Sequence, residues 1–286
     1  MHKTPISTLL LILLFTSISS LAAPVFKVTK GDDTVFIAGT FHLLTEKDYP
    51  LPEAFEQAYQ QADEIYFETD MLAIESAEFQ QKSLGAILYQ DDSTLKGALN
   101  KATYARFVEY AKSRQLDPMQ LNGLNPTGVM LTITIMEYQA RGFVAEGVDK
   151  HYFKKATRDN KTIAWFETPD EQLAILGSFD DEDPNGLINY TLDEMENIDH
   201  VITRLHKSWR EGDMNTLTQL GIDSFADYPN IYKAILVDRN NNWMQKIEAM
   251  FNDQGTELIL VGALHLPGDD GVLTQLEKKG YLVERL

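Results

Sequence analysis

Two histidines follow glycine in the same pattern and at the same kind of place. Residues 34–43 read TVFIAGTFHL, and residues 257–266 read ELILVGALHL. Each is an apolar, strand-like run, then Gly, two residues, His and Leu. His42 and His265 therefore fall just past the carboxyl ends of two predicted strands. In open α/β sheets that edge is where ligands bind. The glycines, Gly39 and Gly262, permit a sharp turn and let another group come close.

Two carboxylates occupy matching positions. Glu68 ends a predicted strand, residues 64–68, and Glu167 follows another, residues 162–166; Asp70 stands two residues beyond Glu68. If these strands are parallel neighbours, two His and two Glu converge on one edge. Imidazole and carboxylate without thiolate suit a divalent ion such as zinc, manganese or cobalt. Bound there by His42, His265 and either Glu68 or Glu167, the ion would lower the pKa of a water and polarise a carbonyl. The other carboxylate, Glu68 or Glu167, would serve as general base. Arg239, in the run DRNNNW at 238–243, would hold a substrate carboxylate or a developing oxyanion. Its plainer reading is a structural pair with a Glu or a backbone carbonyl, and Asn240 would cap or orient it. One Gly-x-x-His arises often by chance; the matched pair with two strand-end Glu residues makes the signal. His-Glu-x-x-His is absent. His151, His200 and His206 read as surface or boundary residues.

These side chains need a scaffold. Strands are predicted at 25–30 and 34–38, joined by the turn Gly31-Asp32-Asp33, and at 64–68, 162–166, 257–261 and 281–284. A helix is predicted over 52–62 from its apolar face. Another starts at Thr168-Pro169-Asp170-Glu171, an N-cap with a helical proline and a capping-box Glu. Apolar residues at steps of three and four predict one long helix over 187–210. Asp270-Gly271 opens a last helix, closed by Gly280. Residues 129–136, apolar nearly all round, read as a buried helix started by Asn125-Pro126, with a strand as the alternative. The acidic stretch 178–186 reads as a solvated loop. Strands alternating with helices predict an α/β fold: a central sheet with flanking helices and a large helical insertion at about 73–155, packed over the sheet as a lid.

Residues 1–23 have the order of a secretory signal: Lys3, an apolar run at 9–15, then Ser19, Ser20, Ala22 and Ala23. The apolar run falls short of the roughly 20 residues of a membrane span. The expectation is an α/β domain at 24–286, periplasmic or secreted, with no stable membrane span after cleavage. Without cysteine there is no disulfide, thiolate site or cysteine nucleophile. The formal charge of −18 repels nucleic acid and anionic lipid. The partner expected is a peptide or a small-molecule substrate.

The chain resembles the TraB/GumN family, which is related to the TIKI proteins. The resemblance rests on Gly39-Thr40-Phe41-His42-Leu43, Glu68 after an apolar strand, and Gly147-Val148-Asp149. It continues through Phe166-Glu167-Thr168 with Gln172, Arg239-Asn240 with Trp243, and Gly262-Ala263-Leu264-His265-Leu266-Pro267-Gly268. It implies an α/β core with paired Gly-x-x-His motifs facing one cleft and a mostly helical insertion. For the TIKI branch it implies metal-dependent peptide-bond hydrolysis; the wider superfamily includes erythromycin esterase-like and haem-binding ChaN-like proteins. Shared fold does not fix chemistry. The expected function is thus an exported, metal-dependent, peptidase-like hydrolase. A non-catalytic protein that holds a metal, haem or small ligand in the same cleft is the alternative, and a structural or partner-binding domain the third.

Overall fold

A computed structural model of the chain describes residues 23–252 and 255–286. The charged, apolar and small-residue leader lies outside the described residues, apart from Ala23. Six strands form the central sheet: β1 (Val25–Lys30), β2 (Asp33–Thr40), β4 (Glu64–Thr69), β6 (Thr162–Glu167), β7 (Glu257–Gly262) and β8 (Leu282–Arg285). Their order is β6-β4-β7-β2-β1-β8. β6, β4, β7 and β2 run parallel, whereas β1 pairs antiparallel with both β2 and β8. Two-residue strands β3 (Leu43–Leu44) and β5 (Ala145–Glu146) make a separate small ladder.

Alternation along each strand divides the sheet between two cores. Phe36, Ala38, Ile65, Phe67, Leu258 and Leu260 face one helical layer, with Phe55, Tyr152 and Trp209. Val35, Ile37, Ile259 and Val261 face the other, with Trp243, Ile247 and Leu276. Central β7 is covered on both sides, so its sequence is a continuous apolar run, as a buried parallel strand requires. Helices fill both long connections, between β4 and β6 and between β6 and β7. They share a third, all-helical core around Phe107, Ile133, Leu192 and Ile202.

Two local expectations change. Residues 187–210 form two helices, Pro184–Glu196 and Ile198–Glu211, separated at Asn197 (φ −115°, ψ 18°). The apolar period hides this break because Met195 and Ile198, on either side, are buried in the same core. The acidic stretch is not a loop. A helix runs from Pro169 to Glu182, and Asp183 caps the next through Gly186 N–H. Residues 129–136 lie within the helix Pro126–Ala140, as favoured, but Ile135 and Met136 are exposed. Among the described residues no helix is long and apolar enough to cross a membrane.

The segment carrying His42 is fixed by the small ladder. Leu43 pairs with Glu146, Leu44 with Ala145, and Val148 N–H donates to Phe41 O at 3.1 Å. Gly147 lies flat against this segment, where an added Cβ would overlap the carbonyl groups of Phe41 and His42. Gly147→Ala is expected to cost roughly 1–3 kcal/mol by overpacking and to displace His42. Chemical denaturation of variant and parent measures the loss, and an unchanged midpoint would contradict the packing described.

Candidate functional site

The two Gly-x-x-His segments end neighbouring strands, with Thr40 directly beside Gly262. Their glycines have different jobs, and neither has positive φ, so the sharp-turn reading does not hold. Gly39 permits close approach: a Cβ there would stand 2.9 Å from Ala263 Cα and 3.0 Å from Leu266 Cδ1. Gly262 leaves a notch. Its Cβ would lie 3.1 Å from Glu68 Oε1, 3.6 Å from His265 Cδ2 and 3.7 Å from His42 Nε2. Three of the expected site residues thus surround one point at the carboxyl edge of the sheet.

His42 Nδ1 lies 2.8 Å from Asp149 Oδ2. A carboxylate only accepts, so Nδ1 carries the proton and Nε2 faces the notch. The ring is 68 % accessible to solvent but stands inside a concave site. Asp149 is the main cause of its raised pKa, about 9, because the carboxylate favours the imidazolium. His265 is its opposite. Burial pushes its pKa down to about 3, and the ring is neutral. Asn240 Nδ2 donates to the carbonyls of Asp270 and His265, which turns Oδ1 toward His265 Nδ1–H at 2.6 Å. Arg239 Nη1–H then donates to His265 Nε2 at 3.2 Å.

Arg239, Glu68 and Glu167 form a buried network. Arg239 Nε donates to Glu167, Nη2 to Glu68 Oε2 at 2.5 Å and Glu167 Oε2 at 2.8 Å, and Nη1 to Ile235 O and His265. All five N–H donors are engaged, so none is left over for a substrate carboxylate or oxyanion. Trp243 Nε1 donates to Glu167 Oε1 at 2.8 Å, and Gln172 Nε2 reaches both carboxylates at 3.3 Å. Gly262 N–H donates to Glu68 Oε1 at 2.6 Å. Burial would raise the Glu68 pKa, but Arg239, His42 and the Gly262 amide hold it well below the usual carboxylate range. Asp70 lies outside the network and caps the helix Met71–Ile74.

A cavity of about 370 Å³ opens over this floor. Thr40, His42, Glu68, Arg239, Gly262 and His265 line its base, and Ile135, Tyr138, Leu205, Leu217, Leu236 and Leu264 make apolar walls. Glu167 is not in the lining; its oxygens point back to Arg239 and Trp243. The donor chemistry at the notch suits a divalent ion in His42 Nε2 and Glu68 Oε1, with Asp149 behind the imidazole as an outer-shell partner. His265 Nε2 is 3.8 Å from Glu68 Oε1 but faces the Arg239 guanidinium. As they stand, no three His, Asp or Glu side chains among the described residues are grouped to hold a metal ion.

The chain matches the sequence model of the TraB/PrgY/gumN family over residues 24–285. The chain belongs to this family. No curated protein and no solved structure matches it. In this TraB/PrgY/gumN chain the residue missed at the candidate site is Asp149. Its signal was present in Gly147-Val148-Asp149, but nothing in the spacing ties residue 149 to residue 42. Gln172 and Trp243 stood in the same position: recognisable in the pattern, with no role until the fold brought them to Glu167.

The His42–Asp149 pair sets a pH dependence. A pKa raised in the fold means that the pair stabilises fully below pH 6.5, the ordinary histidine value, and loses its contribution as pH rises through about 9. The depressed His265 pKa acts the other way, with stability falling as pH drops below 6.5. NMR titration should place His42 near 9 and, in Asp149→Asn, near the ordinary value. A His42 pKa indifferent to that substitution would rule the pair out.

Proposed function

We propose that this chain is an exported hydrolase that cleaves peptide bonds at the Gly262 notch with the help of a divalent manganese, cobalt or zinc ion. The observation that carries the reading is the convergence of His42 Nε2, Glu68 Oε1 and His265 on one glycine, with Asp149 behind His42. His42 and Glu68 would hold the ion, with His265 beside them. When bound, such an ion supplies an acidified water and polarises a carbonyl. In hydrolysis the water oxygen bonds to the carbonyl carbon, the C–N bond breaks, and the leaving nitrogen takes a proton. Asp149 fixes the His42 tautomer so that Nε2 faces the substrate. Arg239 keeps Glu68 ionised and aimed at the notch, and Glu167 holds Arg239. The apolar walls exclude water and suit a substrate that is apolar beside the scissile bond.

A second reading needs no metal. It is favoured by the Arg239 contact to His265 Nε2, which occupies the lone pair a metal would take. Here neutral His42, backed by Asp149, takes the proton of the attacking water. Export rests on the leader sequence. Ala23 is fully buried in the core, which favours cleavage after Ala22 over cleavage after Ala23. N-terminal sequencing of the exported protein is expected to start at Ala23.

Calorimetric titration with manganese, cobalt and zinc, on the parent and a His42→Ala/His265→Ala variant, tests the assignment. Stoichiometric binding lost in the variant is expected. Because the ion displaces the His42 proton, affinity should rise with pH up to about 9, by as much as about tenfold per unit. Equal binding by both proteins removes the metal assignment. Peptide hydrolysis that survives chelation and increases through pH 9 selects the His42–Asp149 base instead.

A further inference from the structure

Thr40 is fully enclosed, at 2 % exposure, and its hydroxyl has no hydrogen-bond partner among the described residues. Leaving a buried hydroxyl unmet is costly, so such a group calls for a partner supplied from elsewhere. Three observations locate that partner. Thr40 lines the base of the cavity. It ends β2 directly beside Gly262, and neighbouring strands lie roughly 4.8 Å apart. Period-two alternation puts it on the sheet face of Phe36 and Ala38, the face that Leu258 and Leu260 of β7 share and that continues to Gly262. The Thr40 side chain therefore borders the notch that already holds Glu68 Oε1 and His42 Nε2.

We propose that Thr40 is a member of the reacting centre: its hydroxyl, Glu68 Oε1 and His42 Nε2 together hold the water that attacks the substrate. This deepens the metal-free form of the hydrolase reading, in which His42 Nε2 takes the proton of the attacking water, and rests on it. Three polar partners around one small concavity are what an ordered internal water requires. The hydroxyl both donates and accepts, so it orients the water without competing for its proton. Glu68, accepting from the Gly262 amide and from Arg239, serves as an anchor. The carboxylate and the imidazole alone leave the water free to turn about the line between them. A third contact from β2 fixes the lone pair directed into the cavity.

Thr69 provides an internal control. Its hydroxyl is also buried and without a partner among the described residues, at 4 % exposure, but Thr69 is not in the cavity lining. Thr40→Val, Thr40→Ser and Thr69→Val in the mature chain separate the roles. Valine keeps the shape, so both valine variants should fold and unfold cooperatively, which thermal melting checks. Crystal structures at a resolution that orders solvent should show a water bonded to Thr40 Oγ1 and Glu68 Oε1 in the parent, Thr40→Ser and Thr69→Val proteins. It should be absent in Thr40→Val. On a peptide identified by library screening, kcat should fall at least about tenfold in Thr40→Val with KM little changed, and recover in Thr40→Ser.

A water retained in Thr40→Val, or a Thr40 hydroxyl bonded only to protein, would overturn the proposal. So would unchanged kcat in that variant, which leaves hydrolysis itself intact. A water held as described, in a protein that cleaves no peptide in the library, would instead retain the Thr40 site and remove the hydrolase reading.

Discussion

A guanidinium can be buried only where its charge is balanced and every N–H finds an acceptor. Arg239 meets that demand with two carboxylates, a carbonyl and a neutral imidazole, and the floor of the cavity is the result. Each partner is fixed in turn by a different element. Glu68 comes from the end of β4, Glu167 from the end of β6, and His265 from the turn after β7. The helix Asp238–Met250 carries Arg239, Asn240 and Trp243 together. The protonation states follow from the same network: Glu68 is anionic because Arg239 faces it, and His265 is neutral because it is buried and accepts from that arginine. Removing Arg239 would leave two buried carboxylates uncompensated, and removing either carboxylate would strand buried guanidinium N–H donors, so the network behaves as one unit rather than as separate ion pairs.

His42 stands outside that unit, and the contrast matters for chemistry. Its partner is a single aspartate on another segment, its ring is open to the cavity, and its Nε2 has no hydrogen-bond partner among the described residues. The floor is thus a rigid, saturated base with one adaptable imidazole at its rim. Glycines make this compactness possible at three positions. Gly39 lets the two Gly-x-x-His segments touch, Gly147 lets the Asp149 segment lie on the His42 segment, and Gly262 leaves room between the side chains.

Much of this was legible in the sequence because strand and helix periods are local. The six sheet strands and the helix starts with Thr168 and Asn125 caps follow from alternation and capping chemistry alone. His42, His265, Glu68 and Glu167 stood out because each falls at the end of an apolar run. What was not legible depends on contacts between distant segments. Asp149 reaches His42 only through the β3–β5 ladder, two residues long and too short to register as strands. The engagement of all five Arg239 donors depends on strand order, which no local pattern encodes. The break at Asn197 was hidden because the apolar spacing continues through it. Thr40 was quoted as part of a motif, yet a threonine at a strand end carries no distinguishing mark until its burial is known.

The strand order also governs how the sheet can form. β7 lies between β2 and β4, and β1 is edged by β8, so the first strands of the described chain receive partners from near its last. Until residues 257–262 are available, β2 and β4 have no strand joining them, and the sheet is two unconnected ribbons with open inner edges. Closing it requires long loops to be brought together before most of the reward is gained, the signature of slow folding. Assembly of the cavity floor and completion of the sheet are therefore one event, and a chain that stops before residue 257 contains neither.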